Sequence, residues 1–246
     1  MLRAAARQRG LTLVELMIAG AISLIALSAV LTVYNATARH STQQLQSMQL
    51  HQQMFGILHL IGRDLRRAGY WRFEPARQSP ADNPFQQPEN RLRSGALAGE
   101  AVDSCILLSY DLDRDGLVGV GQCGPGGCPP LSDSDNVEQF GFRLHDGNVQ
   151  SRYAGSGLSC DSGYWQSLNE PDVRVTRLHF ALHSRCTALS PDSPPCDGTT
   201  PQLTRRVVSI DVDAQLDRHP ETQLGLTQWI TVRNDLVQEP APWRLF

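Results

Sequence analysis

Residues 11–33 form a predominantly apolar run of 23 residues that carries one charge, Glu15, near its start. As a helix the run rises roughly 34 Å, enough to cross a bilayer core of about 30 Å. A lone carboxylate inside a membrane-length helix is costly, so its position points to a function. Residues 1–10 are short and basic, with Arg3, Arg7 and Arg9, and end in Gly10. The basic leader predicts a cytoplasmic N-terminus, with the remaining chain facing outward. An ordinary secretory signal has an apolar core of about 7–15 residues with its small-residue cleavage site behind it. Here the run is longer and the small residue precedes it. A plain signal anchor leaves Glu15 unexplained.

No helix breaker occurs between Tyr34 and Ala68. Leu45, Met48, Phe55, Leu58, Ile61, Leu65 and Ala68 recur at helical spacing, widened by Leu50, Met54 and Ile57, and predict an amphipathic continuation. Arg63, Arg66 and Arg67 in the last turn, followed by Gly69, mark its end. One helix over 11–68 would run about 87 Å, its first half spanning the membrane and its second lying on a globular domain. His51 and His59 share a face two turns apart but lack a third ligand there, so they read as solvated or packed.

Residues 70–103 carry Pro75, Pro80, Pro84 and Pro88 and little periodicity; a loop of that length is either functional or mobile. Strand signals follow at Cys105–Tyr110, Glu138–His145, Val149–Tyr153, Val173–His183, Val208–Leu216 and Leu224–Leu236. Asp146-Gly147 is a two-residue hairpin signal. The expected fold is α+β, a long N-terminal helix on a mostly antiparallel sheet. The expected divisions are 1–10 (leader), 11–33 (membrane helix), 34–69 (amphipathic helix), 70–103 (loop) and 104–246 (β-rich domain).

With 41% hydrophobic and 19% charged residues the chain can build a packed core. All 22 basic residues are arginine, and the net charge of −3 does not point to nucleic acid. Without residues 1–10, 19 arginines face 25 acidic residues, a charge of −6. Six cysteines, Cys105, Cys123, Cys128, Cys160, Cys186 and Cys196, all follow the apolar run, which suits disulfides in an oxidising compartment. The pairings Cys123–Cys128 and Cys186–Cys196 close the shortest loops and would leave Cys105–Cys160, although spacing alone does not choose. Asp111, Asp113 and Asp115, followed by Gly116, open like a calcium loop, with oxygens at alternate positions and a glycine for the turn. Gln122 stands where an EF-hand needs glutamate, so Asp133, Asp135 or the Leu117 carbonyl would have to complete the site. The alternative is a solvated acidic turn. No hydrolase elbow, zinc-protease motif or phosphate loop is present, and the chain is expected not to be an enzyme.

Arg9-Gly10-Leu11-Thr12-Leu13-Val14-Glu15-Leu16 resembles the class III prepilin signature of type IV pilins and type II secretion pseudopilins. The resemblance implies cleavage between Gly10 and Leu11 by prepilin peptidase, N-methylation of Leu11, and a role for Glu15 in assembly. Leu11 departs from the family's usual Phe, and the absence of Pro between residues 11 and 74 is more typical of a minor than a major pilin. Physically, cleavage creates an α-amine that a neighbouring subunit's Glu15 can pair with, so that each offsets the other's desolvation and the stagger is fixed. Residues 63–70 (Arg63 to Tyr70) and 136–142 (Asn136 to Phe142) resemble PilW-type minor pilins. That resemblance implies priming of pilus assembly in a minor-pilin complex at or near the tip, supporting twitching motility, adhesion or DNA uptake. The implied partners are other minor pilins, the major pilin, the inner-membrane assembly platform and a tip adhesin. The implied location is the inner membrane, single-pass with a periplasmic C-terminal domain, and the pilus after assembly. A J-type minor pseudopilin of type II secretion is the nearest alternative. A membrane-anchored binding domain that never polymerises is the alternative of another class.

Overall fold

The structure, a computed structural model, describes residues 10, 12–119, 137–155, 157–189, 196 and 199–239. The chain divides into two compact units, Met1–Met48 and Gln49–Phe246. A single helix, α1 (Leu13–Arg67), begins in the first unit and ends in the second.

In the first unit, residues 13–45 of α1 are exposed, and the helix is long and apolar enough to cross a membrane. The serine and threonine hydroxyls of its apolar part are satisfied within the helix. Ser23 Oγ donates to the Ala19 carbonyl, Thr32 Oγ1 to Ser28 and Thr37 Oγ1 to Val33, so no hydroxyl proton of these three needs water.

In the second unit, α1 buries Leu50, Met54, Ile57, Leu58, Ile61 and Leu65, spaced by three and four residues. The buried stripe is narrower than the periodicity predicts. Leu45, Met48 and Phe55 are exposed, and Phe55 stacks on His51 at the flank instead. The helix ends at Gly69, whose φ of 75° is left-handed and whose N–H turns away to the Ser109 carbonyl. A Cβ there would meet Gln86 Nε2 at 2.5 Å, so both backbone and space require glycine.

The strands form two sheets where the sequence reading expected one. The first has five antiparallel strands in sequence order: β1 (Arg93–Gly95), β2 (Cys105–Ser109), β3 (Gln139–His145), β4 (Asn148–Ala154) and β5 (Tyr164–Ser167). The Asp146-Gly147 turn has positive φ at both residues, 49° and 76°, as the tightest hairpin needs. The second sheet orders β6 (Val173–Ala188), β7 (Gln202–Leu216) and β8 (Gln223–Thr231), with β9 (Leu236–Gln238) also on β7. One core joins the buried face of α1 to both sheets, through Ile106, Leu108 and Phe142 on one side and Phe180, Val208, Ile210 and Ile230 on the other.

Residues 70–103 are ordered rather than a bare loop. Two short 3-10 turns, Pro80–Asp82 and Pro84–Gln86, and β1 lie inside the segment. Phe85 and Leu92 are buried. Asn83 Nδ2 and Gln86 Nε2 both donate to the Gly69 carbonyl, and Gln86 Nε2 also donates to Asp235 O. Polar side chains thus fasten the connection to the helix end, compensating for its scarcity of regular structure.

Candidate functional site

The start of α1 is a capping box. Thr12 is the N-cap and Glu15 lies three residues on. The Thr12 N–H and Oγ1–H each donate to Glu15 Oε2 at 2.9 Å, and the Glu15 N–H donates back to Thr12 Oγ1 at 3.3 Å. Glu15 therefore has a task within one chain, which the expectation of an intersubunit role did not include. The Thr-x-x-Glu spacing carried that signal. Gly10 is exposed beside this cap, while Leu11 lies outside the described residues.

A second constellation is the loop at residues 111–119. Asp111 is 2% exposed, and its carboxylate accepts the backbone N–H groups of Arg72, Arg114 and Gly116. Asp113 and Asp115 each accept an N–H two residues ahead. Glu138, just before β3, accepts the N–H groups of Leu112 and Gly119 and closes the loop from the other side. Sequence reading placed Glu138 only as a strand residue. Burial pushes its carboxyl up to about 7, against the pull of those two N–H groups, and the charges of Asp113 and Asp111 add to the rise. Burial also raises the Asp115 carboxyl. One oxygen from each of Asp111, Asp113 and Asp115 lies within 4.8 Å of the others. This is an oxygen set suited to a hard divalent cation, although three side chains supply fewer than the six to eight oxygens (order of magnitude) that calcium takes. Asp133, Asp135 and Gln122 lie outside the described residues.

The cysteines Cys105 and Cys160 are joined, as are Cys186 and Cys196. Cys123 and Cys128 lie outside the described residues. Cys160 sits in a loop over the far face of the first sheet, where Cys105, Leu107, Leu158 and Cys160 form a small second core. Three guanidiniums grip that loop by its carbonyls: Arg93 that of Leu158, Arg143 that of Cys160, and Arg152 that of Gly157. Arg143 also lies 4.2 Å from the Trp165 ring centroid. Arg152 is 1% exposed and donates to the Gln139 carbonyl as well. Gly155 and Gly163 leave room for it, since a Cβ at Gly155 would stand 2.3 Å from its Nη2.

A leader-proximal cap, an apolar helix with an exposed surface and a disulfide-bonded β domain define a type IV pilin-like protein. Two comparisons agree with that class. Residues 5–31 match the prokaryotic N-terminal methylation motif, and residues 43–232 match the family described as prepilin peptidase-dependent protein B. The second match spans most of the chain, and the chain belongs to the prepilin peptidase-dependent protein B family. No curated protein and no solved structure matches it. The methylation motif and the apolar helix together fit anchoring in the inner membrane.

Proposed function

We propose that the chain is a minor type IV pilin of the PilW type, which primes pilus assembly with other minor pilins at or near the tip. The observation that carries this reading is the methylation motif running directly into a helix whose residues 13–45 are exposed. The apolar part of that surface, residues 13–33, needs lipid around it before assembly and neighbouring helices after it. The proposed role is recognition, not catalysis: helix packs on helix, and the sheets and loops meet other subunits. Partners in this reading are other minor pilins, the major pilin, the assembly platform and a tip adhesin, and the β domain faces the periplasm. Calcium is proposed as a ligand of Asp111, Asp113 and Asp115, where it would offset their mutual repulsion.

The test is deletion of the gene and complementation. Loss of surface pili and twitching, with intact protein export, supports the reading. Loss of export with normal pili replaces it with the J-type pseudopilin. If mass spectrometry of the mature protein finds an uncut N-terminus, the chain is a non-polymerising anchored domain instead.

A further inference from the structure

The end of α1, the 111–119 loop and the segment after β8 enclose a cavity of about 580 Å³ whose rim includes His59, Arg63, Arg66, Arg67, Arg114 and Arg233. Three separate chain segments thus bring five guanidiniums to one place. Among the described residues lining the cavity Asp111 is the one carboxylate, Asp64 lies beside Arg63 and Tyr110, and both are already engaged. Asp64 is buried and accepts from Arg63 Nε and the Tyr110 hydroxyl, and Asp111 accepts three backbone N–H groups.

Helix capping does not account for the arginines. The terminal carbonyls of α1 have other donors: Asn234 Nδ2 serves Arg67 and Ala68, and Asn83 and Gln86 serve Gly69. Arg63 is partly used by Asp64, and Arg67 lies over the Tyr110 ring. Among the described residues, the guanidiniums of Arg66, Arg114 and Arg233 make no hydrogen bond or ion pair. Uncommitted arginines at the mouth of one cavity, on a chain of net charge −3, make a local positive field against an acidic background.

We propose that this cavity docks a short acidic segment of a partner protein, its carboxylates held by Arg66, Arg114 and Arg233. Guanidinium forks match carboxylates in geometry as well as charge. A nucleic acid strand fits less well, because its phosphates need a basic track that follows the backbone along the surface. Here the arginines ring a single cavity, and Asp113 and Asp115 lie on the same loop as Arg114 and would repel a long polyanion. A short acidic segment places its charge only where the arginines are. The proposal does not depend on which assembly the chain joins.

Binding is measured by fluorescence anisotropy on the full chain in detergent. The probe is a labelled hexapeptide of alternating aspartate and glutamate. Controls are its asparagine/glutamine counterpart, a hexathymidylate and inorganic phosphate. The expected result is saturable binding of the acidic peptide that weakens with salt and does not occur with the amide counterpart. The triple variant Arg66→Gln, Arg114→Gln, Arg233→Gln weakens it about tenfold or more, with little change in melting temperature because these guanidiniums make no hydrogen bond or ion pair among the described residues. Equal binding by that variant, or none by the acidic peptide, overturns the proposal. Tighter binding of the oligonucleotide makes the cavity a nucleic-acid site, and phosphate binding as tight as the peptide makes it a small-anion site; either result also overturns it.

Discussion

Removing Cys105–Cys160 and Cys186–Cys196 one at a time should cost different amounts, and the difference follows from chain length. Cys105–Cys160 closes a loop of 55 residues and Cys186–Cys196 one of 10. The chain-entropy relation gives about 4.2 kcal/mol for the first and about 2.7 kcal/mol for the second. The constant term cancels in the comparison, leaving about 1.5 kcal/mol, and so the ranking is firmer than either value. The native loop stays in place without its disulfide because Arg93, Arg143 and Arg152 still hold its carbonyls. The long crosslink therefore acts mainly on the unfolded chain, with a small cavity penalty where Cys105 and Cys160 are buried. The assay is urea unfolding of the detergent-solubilised chain, comparing Cys105→Ala/Cys160→Ala with Cys186→Ala/Cys196→Ala. For a unit of this size the first variant should melt roughly 8–16 °C lower than the parent. A larger loss from the Cys186–Cys196 variant would refute the entropic reasoning.

Four further outcomes are expected. Glu15→Gln keeps a side chain able to accept at the cap, while Glu15→Ala removes it; both should lose entry into filaments, but only Glu15→Ala should also reduce helicity at the start of α1, read by hydrogen exchange. Glu138 has a folded pKa of about 7, raised above its ordinary 4.5, so the native state holds the proton more tightly. Its contribution to stability is full below about pH 4.5 and is lost as pH rises through about 7, a slope that should flatten in Glu138→Gln when denaturation midpoints are measured across that range. Arg152→Met takes the guanidinium donor from the Gln139 carbonyl and leaves the Gly157 carbonyl with the Ser162 hydroxyl, and should cost about 3 kcal/mol in urea unfolding, with Arg152→Lys recovering only part because one ammonium cannot reach both acceptors in a fork. Calcium at about millimolar concentration should raise the melting temperature and EDTA reverse the rise; no shift in either direction removes the metal from the 111–115 loop.

The parts of the fold that were legible in sequence are those set by local periodicity. α1 follows from an unbroken 3.6-residue pattern, and its end from Gly69. The β3–β4 hairpin follows from Asp146-Gly147. The division into two sheets was not legible, because the break falls between β5 and β6, which are close in the chain yet do not pair, and β1 and β5 are short runs without alternation. Arg143 and Arg152 look like solvent-facing strand residues, yet both are buried. The loop that covers them starts a few residues after Arg152, but what ties it over that face is the bond from Cys160 to Cys105, 55 residues earlier, which no local window shows. The cap at Thr12 and Glu15 was different, since its whole signal fits in four residues. It was obscured by a stronger reason to expect glutamate at the same position.

The intersubunit pairing proposed for Glu15 is compatible with its place in the cap. Both hydrogen bonds from Thr12 end on Oε2. Among the described residues Oε1 accepts none, and Glu15 is exposed. A neighbouring subunit's α-amine can therefore approach Oε1 without breaking the cap, so assembly need not unravel the first turn of α1. The cap also restricts where the carboxylate can point before any partner arrives, and that reduces the rotamer entropy lost on pairing. In the proposed reading, a carboxylate fixed at the helix start and an amine created by cleavage a few residues before it would give each chain one donor and one acceptor near the same end of an apolar helix. Helices stacked through such ends match only at a defined stagger, because a shift of even one turn would leave both charges unpaired in an apolar surrounding.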